Sequence, residues 1–274
     1  MKKKLTLGIL ITTMSKGIDR VKKELLPQLS GVDEIIISHQ ITEKNIIPED
    51  INEIKKYHKN IKYVFMNEEG LSKNRNNALK YSTSDICYIC DDDLNFIDGF
   101  QNIIKQEYKK SNYDIITFQA ENEKGKKHFN VKTGKHNRFS VLKIWSWGIT
   151  FRRKSIINNK ILFNEIFGLG SKYPVGEENI FLTDCYKKGL FMNHCNASIV
   201  IHKDESSGIL YKDRKDLIVA RIKVFKKIFG FIGGFIGIFY FTIFHYKYYK
   251  NDFSVIEFFI LSFKSLINYD GKNI

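Results

Sequence analysis

The chain has 274 residues, and its 44 Lys and Arg against 30 Asp and Glu give a formal net charge of +14. A composition with 43% hydrophobic and 14% aromatic residues can bury a core, which excludes a disordered, collagen-like or highly charged tail protein. The length suits one large domain or two small ones. The positive charge favours an anionic partner, which would be nucleic acid, a membrane surface or a phosphorylated small molecule.

Four cysteines are too few for a disulfide-stapled secreted domain. Cys87 and Cys90 lie in an apolar run, where a strand would send them to opposite faces, so we predict buried free thiols. The basic N-terminus superficially resembles a signal peptide, but its apolar run is short and no small-residue cleavage site follows. We therefore expect a first buried strand in a cytosolic protein.

In the first hundred residues, short apolar runs alternate with amphipathic stretches, which is typical of an α/β fold. The predicted strands are Leu5–Thr12, Glu34–Ser38, Tyr63–Met66 and Ile86–Cys90, and the predicted helices are Ile18–Leu29, Pro48–His58 and Leu71–Tyr81. Parallel strands open a ligand crevice at their carboxyl ends. The candidate functional residues are therefore those that follow each strand.

Residues 99–204 have a less regular pattern. The predicted elements are strands at Ile115–Gln119, Gly148–Phe151 and Ala197–His202, a helix at Glu177–Lys188, an exposed turn at Lys124–Lys135 and a glycine-bearing loop at Phe167–Gly176. With only 3 prolines in the chain, no proline-rich linker marks a boundary. The first two hundred residues are predicted to form one continuous body.

The C-terminal region contains an uncharged run, Ile228–Phe244, flanked by lysines and an arginine. Its length is just short of the roughly 20 residues that span a bilayer. Basic flanks and aromatic residues favour a segment that lies in or dips into a cytoplasmic leaflet. The alternative is a helix packed on the protein's own body.

Three adjacent carboxylates, Asp91, Asp92 and Asp93, follow the fourth predicted strand. Close carboxylates repel one another by about 1 kcal/mol or more per pair at intermediate dielectric, which favours a bound cation. Oxygen ligands at this position suit Mg²⁺ or Mn²⁺ held together with a substrate diphosphate. The alternative is a solvated acidic turn that caps the next helix.

Two predicted helices begin with residues that suit a reaction site. Arg75 lies one turn into a helix that follows Gly70, where an N-terminus and basic side chains can receive phosphate oxygens. Glu177 and Glu178 open another helix, where acids favour the helix dipole or can serve as a general base. His202 follows a strand and is either a metal ligand or a structural histidine.

In combination, these motifs resemble the family 2 glycosyltransferases with the GT-A fold, from Leu5 to about Gly208. The family pattern is a first strand ending in small polar residues, a Gly-Leu-Ser-x-x-Arg-Asn segment, an Asp-x-Asp motif after a strand, and an acidic pair that opens a helix. The matching positions here are Thr12-Thr13, the segment 70–76, Asp91–Asp93 and Glu177-Glu178. The resemblance implies an α/β fold with a Rossmann-like nucleotide-binding half and a mixed central sheet, and the uncharged run adds a C-terminal helical apolar tail.

On this resemblance we expect a catalytic domain at 1–205, with a nucleotide-sugar-binding half at 1–95 and an acceptor half at 96–205. Residues 206–274 would form a helical segment that associates with a membrane. The protein would then be cytoplasmic and peripheral on the inner face of the cell membrane.

The resemblance also implies roles for individual residues. Glu178 would be the catalytic base and Glu177 would contact the acceptor. The remaining expected roles are donor binding by Thr12, Arg75, Asp91 and Asp92, metal binding by Asp93 and His202, and acceptor binding by Trp145, Trp147 and Gly170. The sequence departs from the family pattern at two places. Glu178 stands where the acidic pair usually has an Asp, and His39-Gln40 stands where an Asp is often found after the second strand.

The implied function is inverting, metal-dependent transfer of a sugar from a nucleotide donor, UDP-linked by expectation. The acceptor would be a glycan or lipid-linked molecule in bacterial surface polysaccharide synthesis. A sugar nucleotidyltransferase is the alternative enzyme, although Thr12–Gly17 is a poor version of its Gly-rich loop. A basic nucleic-acid-binding module is disfavoured, because many of the aromatic residues lie in the uncharged tail rather than among basic ones.

Overall fold

The computed structural model of the protein describes residues 4–43, 46–202 and 215–267. Within these ranges, strands form at Leu7–Met14 (β1), Glu34–Gln40 (β2), Ile61–Met66 (β3), Ile86–Asp91 (β4), Asn95–Phe96 (β5), Ile115–Glu121 (β6), Gly134–Lys135 (β7), Ile149–Arg152 (β8) and Met192–Ile201 (β9). The helices are Gly17–Arg20 (α1), Ile51–Lys55 (α2), Leu71–Tyr81 (α3), Phe100–Lys110 (α4), Arg153–Asn158 (α5), Glu177–Lys187 (α6), Lys215–Phe244 (α7), Tyr246–Tyr249 (α8) and Val255–Ile267 (α9).

The described strands form one mixed sheet with the order β3-β2-β1-β4-β8-β6-β9-β5, and β7 pairs with β9. The first four strands in the sequence, β1 to β4, run parallel to one another. Strand β8 is antiparallel to β4 and to β6. The side chains of β1 and β2 are buried on both faces of the sheet apart from Met14, as expected for parallel strands covered by helices. The predicted α/β class with a mixed central sheet is confirmed.

Several predicted elements are confirmed with shifted ends, and two helices are shorter than predicted. The stretch predicted as a helix at Ile18–Leu29 is the short helix α1, then a π-helical turn at Val21–Leu25 and a 3₁₀ turn at Leu26–Leu29. Pro27 lacks a backbone N–H, which prevents a regular α-helix from continuing through it. Asp50 caps α2 by accepting a hydrogen bond from the Asn52 amide, so this helix begins three residues after Pro48.

The predicted buried thiols are confirmed. Cys87 and Cys90 are both buried and free, and they lie on the central strand β4. Burial raises the pKa of Cys87 to about 12, and it also raises the pKa of Cys90. Both groups therefore stay as neutral thiols, which are poor metal ligands and poor nucleophiles.

Glu34 ties the first residue of β2 to the segment that leads into β4. Its carboxylate is 7% exposed and accepts hydrogen bonds from the Ser82 hydroxyl and from the amides and hydroxyls of Thr83 and Ser84, at 2.8 to 3.1 Å. Burial alone would raise the pKa of Glu34, but these donors lower it to about 2. Gly8 leaves room for this network, since a Cβ there would lie 2.8 Å from the Ser84 hydroxyl oxygen.

We expect Glu34→Gln to lower the free energy of unfolding at pH 7 by about 3 kcal/mol, the equivalent of the shift of its pKa from 4.5 to about 2. The Glu34 carboxylate binds a proton less readily in the folded state than in the unfolded state. The contribution of Glu34 to the free energy of unfolding is therefore complete above pH 4.5 and is lost as the pH falls toward 2. Urea unfolding of both proteins between pH 7 and pH 3 measures the difference, with the exposed Glu123→Gln as a matched control. A difference independent of pH would contradict this account.

Candidate active site

The carboxyl ends of β1, β2 and β4 lie side by side. Thr12 of β1 pairs with Ser38 of β2 on one side and with Asp91 of β4 on the other. Open α/β sheets bind ligands at this edge. The hydroxyl oxygen of Thr12 is buried there and has no hydrogen-bond partner among the described residues. Strand pairing thus brings together the residues predicted to bind the donor after β1 and β4.

Arg75 of α3 places a buried positive charge under this edge. One guanidinium nitrogen donates to Asp91 Oδ1 at 2.9 Å and another to Glu177 Oε1 at 2.8 Å, and the side chain is 2% exposed. Burial acts to lower the pKa of Arg75, but the two carboxylates raise it above its ordinary value, so the charge persists. Arg75 is therefore buried, and it joins two acids. Donor binding by Arg75 stays a prediction.

Asp91 is held as a carboxylate by two donors. Arg75 is one, and the Ser146 hydroxyl, which donates to Asp91 Oδ2 at 2.8 Å, is the other. Burial acts to raise the pKa of Asp91, yet these partners hold it below its ordinary value. A lone serine in a 3₁₀ turn carries no sequence signal, so the motif pattern does not reveal the part that Ser146 plays.

Asp92 closes the turn between β1 and α1. It accepts a hydrogen bond from the Thr13 hydroxyl at 2.6 Å and pairs with the Arg20 guanidinium. The turn is tight, because a Cβ at Gly17 would lie 2.4 Å from the carboxylate of Asp92 and from the hydroxyl of Thr13. These contacts fix the loop beside the expected nucleotide. Donor binding by Asp92 itself stays a prediction.

The acidic pair begins α6 directly after Gly176, whose φ of +86° suits glycine. Glu177 is buried and bound to Arg75, whereas the side chain of Glu178 is half-buried. Burial and the neighbouring Glu177 raise the pKa of Glu178 well above its ordinary value, and Arg75 acts in the opposite direction. A raised pKa makes the deprotonated carboxylate a stronger base toward a hydroxyl.

Asp93 and His202 are the predicted metal ligands. Asp93 is exposed and makes no hydrogen bond or ion pair with the described residues, and partial desolvation and the charge of Asp91 raise its pKa. His202 interacts electrostatically with both Asp91 and Asp93. In the part of the chain that the structure describes, no three His, Cys, Asp or Glu side chains are grouped closely enough to hold a metal ion by themselves. Carboxylate and imidazole donors still fit Mn²⁺ or Mg²⁺ if a diphosphate supplies further oxygens.

The two tryptophans differ in their availability to an acceptor. Their rings stack with centroids 5.1 Å apart, but Trp147 is only 4% exposed, whereas Trp145 is half-buried. The rings of Trp147 and His202 meet edge to face, with their centroids 3.6 Å apart. The ring of Trp147 thus lies in the core, against His202. Acceptor contact by Trp145 and by Trp147 stays a prediction.

The loop that contains Gly170 packs on the start of α3. The Ser72 hydroxyl donates to the Phe167 carbonyl at 2.6 Å, and the Leu71 amide donates to the Leu169 carbonyl at 2.8 Å. Gly170 has a φ of +71°, and a Cβ there would lie 3.0 Å from the side chain of Glu69. The loop and the helix that carries Arg75 are therefore one packed unit. Acceptor binding by Gly170 stays a prediction.

The last two residues of β2 support neighbouring turns. His39 is fully buried, and its ring nitrogens lie 2.7 Å from the Tyr63 hydroxyl and 2.8 Å from the Ser15 carbonyl oxygen. Gln40 accepts a hydrogen bond from the Gly70 amide at 3.2 Å. The side chains at the end of β2 thus hold the turns that follow β1 and precede α3, in place of an acidic group.

A model of the family described as "Glycosyl transferase family 2" matches residues 14–170, which is more than half of the chain. The chain belongs to glycosyl transferase family 2. The protein is accordingly a glycosyltransferase. No curated protein matches the sequence.

Solved structures agree with this family 2 fold. The crystal structure of S. aureus TarS 1-349 superimposes with a TM-score of 0.65 at 13% identity, covering 96% of this chain and 80% of that chain. The same TarS segment in complex with UDP-GlcNAc gives a TM-score of 0.67 at 14% identity, covering 96% and 81%. This chain covers half of the longer S. aureus TarS structure, with a TM-score of 0.64 at 13% identity. At these identities the likeness establishes the fold alone.

In this family 2 enzyme, Arg75→Gln is expected to abolish measurable sugar transfer and to lower the free energy of unfolding by about 3–5 kcal/mol, because it leaves the buried Glu177 and the half-buried Asp91 without a cation. Arg75→Lys keeps the charge but cannot reach both acids with a fork of donors, so an intermediate loss is expected. Urea unfolding and nucleoside diphosphate release measure the two effects.

Lys73→Gln is the matched control on the same helix, since Lys73 is paired with the exposed Glu68. It should behave like the unmodified protein in both assays. An Arg75→Gln protein that unfolds at the wild-type urea concentration and loses only nucleotide affinity would instead make Arg75 a direct donor ligand.

Proposed function

We propose that this glycosyltransferase is an inverting, metal-dependent enzyme that moves a sugar from a nucleotide donor to an acceptor hydroxyl. The proposed donor is a UDP-sugar. The observation that carries the proposal is the bridge through Arg75, which joins Asp91 at the sheet edge to Glu177 at the start of α6. This bridge supports a site in which the donor-side carboxylates lie near the first turn of α6, which carries the candidate base Glu178.

Donor binding is proposed at the carboxyl ends of β1 and β4, with Thr12, Asp91 and Asp92 as the contacting residues. The unpartnered Thr12 hydroxyl and the ionised Asp91 supply polar groups to a nucleoside there. TarS, whose fold this chain shares, was solved in complex with UDP-GlcNAc and with UDP, which supports a uridine nucleotide as the first donor to test.

Asp93 and His202 are proposed to hold Mn²⁺ or Mg²⁺ together with the donor diphosphate. When bound, such an ion offsets the charge that develops on the leaving diphosphate. Trp147 fixes the ring of His202 by edge-to-face contact, and the carboxylate of Asp93 is open to a ligand.

Glu178 is proposed as the general base. It takes the proton of an acceptor hydroxyl as that oxygen attacks the anomeric carbon, while the bond from this carbon to the diphosphate oxygen breaks. One displacement with in-line geometry inverts the anomeric configuration. Glu177, bound to Arg75, holds the first turn of α6 so that Glu178 faces the acceptor. The expected contact of Glu177 with the acceptor is thereby replaced by a positioning role.

The acceptor is proposed to be a glycan or a lipid-linked molecule in bacterial surface polysaccharide synthesis. Trp145 and the loop around Gly170 are the proposed acceptor contacts, on the side of the cleft formed by residues 96–205. We place the reaction in the cytoplasm, with residues 1–205 as the catalytic domain.

A panel of UDP- and GDP-sugars tests the function. With Mn²⁺ the protein should release a nucleoside diphosphate from one donor, and a chelator should stop the release. Release of pyrophosphate from a sugar phosphate and a nucleoside triphosphate would instead indicate a nucleotidyltransferase.

Two variants in the same assay test the residues. Asp93→Asn should abolish metal-dependent UDP binding in calorimetry, because it removes the exposed charged ligand. Glu178→Gln should keep UDP binding and lower turnover by about 10²–10⁴-fold, the usual contribution of a general base.

Asp98→Asn and Glu123→Gln make the same chemical changes at exposed positions and serve as matched controls. Unchanged UDP and Mn²⁺ binding in Asp93→Asn would refute the metal assignment. Unchanged turnover in Glu178→Gln would refute the base assignment.

A further inference from the structure

In the second half of α7, eight large apolar side chains are exposed, whereas Ile238 and Phe241 are buried. The helix is kinked at Gly230, and after the kink Gly233, Gly234 and Gly237 occupy the buried face. The exposed face consists of Phe231, Ile232, Phe235, Ile236, Phe239, Tyr240, Ile243 and Phe244, each at least 40% exposed. A surface helix of a water-soluble protein has the opposite pattern, with its apolar stripe facing the core.

The buried glycines let neighbouring helical segments approach closely. A Cβ at Gly234 would lie 2.5 Å from a methyl carbon of Leu266 in α9, and one at Gly237 would lie 2.8 Å from the ring of Phe225. The helix α9 extends the exposed apolar surface through Val255, Ile256, Ile260, Phe263 and Ile267. We call these thirteen exposed residues of α7 and α9 the outer face.

Charged residues lie around the outer face, and the part of that face on α7 contains none. The stretch 231–244 contains no charged residue, whereas Lys227 precedes it and Lys247 and Lys250 follow it, all exposed. Lys264 is exposed on α9, where the exposed acids are Asp252 before the helix and Glu257 in its first turn. Lysines thus outnumber acids around this surface, which makes it complementary to an anionic layer.

The length of the second half of α7 argues against a helix that crosses the bilayer. By length and composition α7 qualifies as a candidate span, but its long axis changes direction at Gly230. The 14 residues after the kink rise about 21 Å, less than the roughly 30 Å of a hydrocarbon core. Lysines at both ends of this piece can therefore reach the head groups of one leaflet.

We infer that residues 231–244 and 255–267 lie flat in an anionic lipid leaflet, with the outer face among the acyl chains and the surrounding lysines at the phosphates. The partner is the membrane surface itself. The first half of α7 connects this surface to the site, because Val224 packs against Gly176, next to the acidic pair. Phe231 is seven positions after Val224, about 10 Å along a helix.

Flotation of the full-length chain with vesicles tests the inference. The protein should float with vesicles of phosphatidylcholine and phosphatidylglycerol, and less with phosphatidylcholine alone. High salt should weaken the binding, because exposed charges are screened. Ile236→Ser combined with Ile243→Ser should lower the vesicle affinity by at least about tenfold, since two large apolar side chains no longer enter the acyl layer.

Ile47→Ser combined with Ile157→Ser is the matched control, as both residues are exposed apolar positions on the catalytic body. It should leave the vesicle affinity unchanged. Equal binding by the two double variants would overturn the inference. So would an outer face covered by a second copy of the chain, seen as a dimer in light scattering that does not bind vesicles and that the α7 variant dissociates.

A thiol reporter tests the flat orientation. Asn251→Cys, in the exposed turn between α8 and α9, should react with an impermeant maleimide when the protein is added outside sealed vesicles. The unmodified chain corrects for reaction at the four native cysteines. Protection of Cys at this position in intact vesicles, relieved by detergent, would show that the segment crosses the bilayer and would overturn the proposed orientation.

Discussion

The buried guanidinium of Arg75 is the interaction on which the candidate site depends. A charge removed from water needs partners of opposite sign, and Arg75 finds one at the end of β4 and another at the start of α6. Glu177 is 102 positions away from Arg75 in sequence. The requirement for charge balance therefore fixes the distance between the donor edge of the sheet and the helix that carries Glu178.

The start of α6 is constrained from two sides. Arg75 binds Glu177 on the side of the sheet, and Val224 of α7 packs on Gly176 on the other, where a Cβ would lie 2.5 Å from a methyl group. If residues 231–244 bind a lipid surface as proposed, this packing would connect that surface to the first turn of α6.

Much of the fold was predictable because parallel strands in a covered sheet are apolar on both faces, as in β2 and β4. The helix α4 was missed, although Phe100, Ile104 and Tyr108 are buried at helical spacing. The start of β9 was missed because its burial pattern is irregular and its pairing with β6 shifts register. At the candidate site, motif order indicated which residues to consider, but the buried bridge through Arg75 depends on packing that no motif encodes.

The stereochemistry of the product tests most directly the claim that Glu178 activates an acceptor for a single displacement. Once a donor and an acceptor are identified, proton NMR of the product shows the anomeric coupling of the new linkage. A single displacement gives an anomeric configuration opposite to that of the sugar in the donor. Retention of the donor configuration would contradict it, because two displacements would then require a nucleophile that this account does not include.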